Sequence, residues 1–210
     1  MARARTSEAK DLRRSELMDA ALEEFYERGF ASARMDDIAR RAGLSKGTLY
    51  LYFDNKEALF SSLVEAHALP RAERLEAISQ SSGGGFAAIS AMMNLAPTIL
   101  RHTAIPKLVK ILVANAAQFP ASVTVYRTQI VERILRAVAR ALEAGRDKGE
   151  MNIDDPVMTA RLVVAPVLFS LVWRITFEHD PEAKLDLEAL FAQHEKILRR
   201  ALSPVPEVAL

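Results

Sequence analysis

The stretch "GFASARMDDIARRAGLSKGTLYLYFDNKEALF", Gly29 to Phe60, decides how the rest of the chain is read. Around Gly43 it divides into two short segments with helical period. The first, about Met35 to Ala42, turns Ile38, Ala39 and Ala42 to one side and stops at a glycine suited to a tight turn. Ser45 then offers a side-chain oxygen to the amides of a second short helix, about Lys46 to Phe53. At about 100° per residue, Leu49 and Phe53 share the inner face of that helix. Gly47, Thr48 and Leu51 fall on its outer face, and Tyr50 and Tyr52 on the two flanks. Two short helices joined by "AGLS" and backed by a longer preceding helix form a helix-turn-helix, whose second helix is laid out to enter a DNA major groove.

The cations of this stretch support that reading. Lys46 and Lys56 each begin a helix, and Arg34 stands just ahead of another. A helix start carries partial positive charge and free amides, so a cation there is poorly placed unless an anion joins it. DNA phosphate is such an anion. Outer residues then face base edges, flanking hydroxyls face phosphates, and Leu51 suits a thymine methyl group.

Gly29-Phe30, Asp37-Ile38-Ala39, Ala42-Gly43, Ser45-Lys46-Gly47, Leu49-Tyr50, Tyr52-Phe53 and Lys56-Glu57 together resemble the DNA-binding domain of the tetracycline-repressor (TetR) family of bacterial transcription regulators. The resemblance implies DNA contact at Ser45, Lys46, Gly47, Thr48, Tyr50, Tyr52 and Lys56, with Leu49 and Phe53 as core. For the rest of the chain it implies helices enclosing a small-molecule pocket, with the last two long helices pairing across a two-fold axis. The family usually has threonine where this chain has Ala33 or Arg34. That departure leaves Ser32 as the candidate cap of the second helix, and makes Arg34 a candidate for an added phosphate or minor-groove contact.

Outside the motif, helical period dominates and strand-like alternation is scarce, so the fold class is all-α with about nine helices. A first helix runs from about Ser7 to Arg28, with Leu17, Ala20, Ala21 and Phe25 on one stripe. The fourth runs from about Asn55 and is bent or broken at Pro70. "SQSSGGG", Ser79 to Gly85, reads as a flexible connection. Further helices are expected near 86 to 101, 105 to 118, 121 to 147, 156 to 178 and 185 to 202. The division that follows is a DNA-binding domain with a basic arm over 1–54, a helical effector-binding and dimerisation domain over 55–202, and a loose tail over 203–210. The run from Leu162 to Trp173 reads as a buried helix, too short to span a bilayer. Apolar residues such as Leu162, Leu168, Leu190, Phe191, Ile197 and Leu198 exceed what one small core absorbs, which suits a homodimer interface.

A formal charge of +1 excludes whole-molecule attraction to nucleic acid, so charge acts here by placement. There is no cysteine, and the start lacks the apolar core of a secretory signal, in keeping with a cytoplasmic protein without a membrane partner. The four histidines lack metal-ligand spacing, and no nucleophile with base, phosphate loop or cofactor motif is present. No enzyme activity, metal or cofactor is expected. Polar and large residues among the later helices, namely His102, Asn115, Gln118, Tyr126 and Trp173 with Met92, Met93 and Phe169, suit a site for a hydrophobic effector. Arg3, Arg5, Lys10, Arg13 and Arg14 form either a solvated tail or an arm for the minor groove. The function expected is a homodimeric repressor that binds a palindromic operator and is released by a small molecule. An architectural DNA-binding protein without effector, or a helical carrier or enzyme, are the alternatives.

Overall fold

The Ala-Arg-Ala-Arg lead of the chain has high helix preference, and it extends the first helix beyond the apolar stripe that marks it. In the computed structural model, which describes residues 2–81, 83–117 and 120–204 and only the backbone of 2–7 and 121, helix α1 spans Ala2–Arg28. Its start lies ahead of the expected Ser7. Helix α2 is Met35–Arg41 and α3 is Lys46–Tyr50. The regular part of α3 is shorter than expected, but the Phe53 amide donates to Leu49 O at 3.0 Å and carries the helical sense onward.

Helix α4, Lys56–Ser81, runs unbroken through Pro70. The proline ring is exposed, and buried side chains flank the missing hydrogen bond, Leu63, Val64 and Ala68 before it and Ala72 and Leu75 after it. Helix α5 is Gly85–His102 and α6 is Ile105–Ala114, the latter ending short of the expected 118. Helix α7 is a continuous segment over 120–147, made of Pro120–Tyr126, a single π-turn Arg127–Val131 and Glu132–Asp147. Helix α8, Pro156–Phe177, starts as its sequence directs, with Asp155 accepting from the Met158 amide at 2.9 Å and Pro156 in the first turn. A short 3₁₀ turn, Pro181–Ala183, leads to α9, Leu187–Leu202. The described residues thus form nine helices and no strand, the all-α class.

By packing, the chain forms two compact units. One comprises the residues up to Ala68 with Lys107–Val125, the other Leu69–Pro106 with the chain from Tyr126. In the first, Phe25, Phe30 and Phe60 meet with centroid separations of 4.7, 5.8 and 6.3 Å, and Leu17, Ile38, Leu49, Leu59 and Leu63 are buried around them. Buried Glu24 receives Arg28 and Arg41, each at 3.0 Å, so α2 is tied to α1 by charge as well as by apolar contact.

In the second unit α7 packs on α5 and α8, while α9 packs on α5 and α8. The glycines expected to form a flexible connection do the opposite. Gly84 and Gly85 are buried, a Cβ on Gly84 would lie 2.2 Å from that of Ala144, and one on Gly145 would lie 2.8 Å from the Gly85 Cα. Backbone-to-backbone approach of α5 and α7 requires glycine there.

Helix α8 is not the fully buried helix its composition suggests. By length and composition it could cross a membrane, but Ala160, Val163, Ser170 and Leu171 are buried on one side while Met158, Leu162, Leu168, Phe169 and Val172 lie open on the other. Two residues assigned to this outward surface turn inward instead. Phe191 is 3% exposed and Leu198 8%, because the inner stripe of α9 carries them into the unit's own core. Leu162 at 65%, Leu168 at 56% and Ile197 at 54% are exposed, and Leu190 is half-buried.

Candidate DNA-binding interface

Helix α3 is held from one side by a single fully buried residue, Leu49. Its start is fixed by Ser45, whose Oγ accepts the Thr48 amide at 3.1 Å and lies 2.8 Å from the Thr48 hydroxyl. The Ser45 and Thr48 hydroxyls are therefore already engaged with each other. Elsewhere on the helix Thr48 is half-buried and Lys46, Gly47 and Tyr50 are exposed, while Leu51, just past its end, is 82% exposed. Tyr52 is half-buried, its ring 6.4 Å from that of Phe53. An exposed leucine beside a tyrosine on a short helix with a pinned back is a surface shaped for a groove rather than for a core.

The three cations have different surroundings. Lys46 Nζ lies 2.9 Å from Asp36 Oδ1 and 3.0 Å from Oδ2, and 6.0 Å from the Tyr50 ring centroid. The hydrogen bond to Asp36, followed by its charge, raises the Lys46 ammonium above its usual range. Lys56 Nζ donates to Phe30 O at 2.8 Å and Ala31 O at 3.1 Å and sits over the Phe30 ring, so it fastens the start of α4 to the α1–α2 connection. Among the described residues the Arg34 guanidinium has no partner. Arg34 is also the N-cap of α2, with no side-chain cap; Ser32 does not replace the missing threonine. Both lysines thus find internal acceptors that sequence reasoning, looking along the chain, did not see.

Arg34, Asp36, Tyr50 and Lys56 line a concavity of about 610 Å³ together with Ala31, Ser32, Ala33 and Met35. Asp36 is the site residue that the motif did not indicate. Its only sequence signal is an acid in the first turn of α2, which the helix dipole favours on its own account. In the basic segment ahead of the motif, Arg14 is drawn onto the Phe53 ring at 5.4 Å, while the side chains of Arg3 and Arg5 lie outside the described residues.

The residues suggested for an effector have different local surroundings. Met92 and Met93 are buried on α5, whereas His102 is exposed. Asn115 belongs to the first unit and donates to Ile111 O at 2.7 Å; Gln118 lies outside the described residues. Burial pushes the Tyr126 phenol up to about 12. Trp173 donates from Nε1 to Ala183 O at 2.7 Å, and its ring lies 5.7 Å from Phe169, which faces outward, and 4.8 Å from Phe177.

Residues 17–63 match the model of bacterial regulatory proteins of the tetR family, and 91–192 match that of the AefR-like transcriptional repressor C-terminal domain. The chain is 28% identical over 162 residues to the HTH-type transcriptional regulator YfiR of Bacillus subtilis (strain 168), covering 73% of this chain and 75% of that one. It superposes on SmeT of Stenotrophomonas maltophilia in complex with triclosan, with a TM-score of 0.77, 25% identity and 95% of each chain covered. It also superposes on the flavonoid-responsive regulator FrrA, with a TM-score of 0.66 and 28% identity over 92% of this chain and 98% of that one. With the pinned α3, its outward apolar and aromatic residues and both halves matched, the chain belongs to the TetR family and is a DNA-binding regulator of transcription, not an enzyme.

Proposed function

We propose that this regulator acts as a cytoplasmic homodimer that represses transcription from a palindromic operator and is released by a small apolar effector. The observation that carries the DNA side is the outward set of Lys46, Gly47, Tyr50 and Leu51 on a helix whose one buried residue, Leu49, anchors it from behind. Arg34, exposed and without a partner among the described residues, is a natural phosphate ligand beside it. Lys56 takes part through the start of α4 as well as its ammonium: the Asn55 side chain accepts the Ala58 amide, at 2.8 Å, and the amides ahead of Ala58 are placed for a phosphate.

The open stripe of α8, with Leu162, Leu168, Phe169 and Val172, supports pairing of two copies. Two recognition helices then have to sit about 34 to 36 Å apart, or a multiple of it, to enter successive grooves. A ligand that favours a dimer with another spacing releases DNA. The triclosan complex of SmeT and the flavonoid response of FrrA favour a small-molecule effector, and the buried methionines Met92 and Met93 favour an apolar one.

Fluorescence anisotropy with the duplex upstream of the protein's own gene, against a scrambled duplex over a salt series, tests the reading. Selective binding lost in both Lys46→Ala and Tyr50→Ala is expected. Equal affinity of the wild type for both duplexes, repeated with duplexes selected from a random pool, would refute it and favour an architectural role.

A further inference from the structure

The ion pair between α2 and α3 limits what Lys46 can do on DNA. Both carboxylate oxygens of Asp36 face the Lys46 ammonium, at 2.9 and 3.0 Å, and both side chains are well exposed on the face that presents Tyr50 and Leu51. Arg34, two residues before Asp36, shares the concavity and has no partner among the described residues. The other acid in the first turn of α2 is occupied elsewhere, Asp37 lying 2.9 Å from Arg40 and 3.9 Å from Arg28.

A lysine free on its four-carbon stem binds any phosphate it reaches, and so strengthens binding to every sequence alike. Lys46 paired with Asp36 cannot do so without cost. Leaving for a phosphate strands a carboxylate against the DNA backbone, and remaining paired contributes almost no net charge to counterion release. An ammonium has a third donor, however. A base-edge acceptor in the groove, such as guanine O6 or N7, can be met by that donor while the pair persists.

We propose that Asp36 is a specificity-determining residue that withholds Lys46 from the phosphates and turns it to a base edge. Asp36 acts through Lys46, and the proposal rests on the DNA-binding reading above. Its effect is selective: it weakens binding to arbitrary DNA and leaves operator binding nearly intact. Phosphate anchoring falls to Arg34, which has no such restraint among the described residues.

The test compares wild type, Asp36→Asn, Asp36→Glu, Lys46→Ala and the Asp36→Asn/Lys46→Ala double variant. Each is titrated by anisotropy, over a salt series, with a duplex selected by the wild type from a random pool and with its scrambled counterpart. Asp36→Asn is expected to tighten binding to scrambled DNA about tenfold near physiological salt and to steepen its salt slope by about 1.8, about 0.9 for each Lys46 of the dimer, with the selected duplex changing less than about threefold. Asp36→Glu should keep the wild-type ratio, and the double variant should show neither increment over Lys46→Ala. Equal tightening on both duplexes, unchanged affinity for scrambled DNA, or increments that survive without Lys46 would overturn the proposal. Should Asp36→Asn melt early, Asp36→Ser, also favoured at a helix start, carries the same expectations. A wild type that selects no sequence refutes the DNA reading itself, whereas a selective wild type with an unaltered ratio in Asp36→Asn refutes only the role of Asp36.

Discussion

Helices α1 and α8 are both long, but only on α1 is the apolar stripe of the sequence buried within the helix's own unit. On α1 the apolar stripe lies within the buried set: Leu17 and Ala21 are wholly buried, Phe25 nearly so, and Glu24 pairs with Arg28 and Arg41 and Glu23 with Lys107. On α8 apolar residues continue around the helix, and only one side of it meets α7 and α9. A stripe that ends where the core ends describes a finished unit, while a stripe that continues past the core describes a missing neighbour.

The largest effect should come from the unfinished side. Leu162→Glu places a charge twice in any isologous pairing of α8, and should weaken dimerisation by about 4 kcal/mol or more, roughly a thousandfold. Sedimentation across a concentration series reads this. An unchanged sedimentation profile would mean that the open stripe is not the subunit contact.

In the finished unit, Leu49→Ala removes the one buried anchor of α3 and should cost about 3 kcal/mol in chemical denaturation. DNA affinity should fall beyond that loss of folded protein, since α3 would no longer be held at a fixed angle. A stability loss without an excess loss of affinity would show that α3 is positioned by its neighbours instead. Ser45→Ala should cost about 1 kcal/mol through the lost cap, with a modest decline in DNA affinity. Ser45→Asp, which retains a cap acceptor, should restore stability while its charge weakens DNA binding. That pattern separates the structural role of Ser45 from contact with the duplex.

The smallest effect concerns acid. Arg133 donates to Glu76 from Nε at 3.0 Å and Nη2 at 2.6 Å, and these hydrogen bonds hold the Glu76 carboxyl below its ordinary 4.5. Glu195 is lowered in the same way, chiefly by the Ser90 hydroxyl. A carboxyl lowered in the folded state contributes stability in full above about pH 4.5, and that contribution is lost as pH falls through the lowered value. Glu76→Gln should thus cost about 0 to 1 kcal/mol at neutral pH, and flatten the decline of thermal stability below pH 4.5. An equally steep acid decline in the variant would remove Glu76 from the account. Since both pairs lie in the second unit, its acid response is expected to exceed that of the cap at Ser45, which does not titrate.

The sequence by itself determined the all-α class, the helix-turn-helix and most helix starts. Those features are local: Ser45, Asn55 and Asp155 each cap an amide three residues on, and a 100° rotation fixes which side of α3 faces inward. Only the tertiary structure decided where the lysines of the motif send their charge. Asp36 and Lys46 lie on different helices, and Lys56 reaches carbonyls of Phe30 and Ala31 that the turn brings within hydrogen-bonding distance. Likewise Ile197 and Leu198 are neighbours of similar polarity, yet one faces outward and the other is buried. Hydropathy gives the amount of apolar surface, but which residues spend it inside the chain depends on where α5 and α8 stand beside α9.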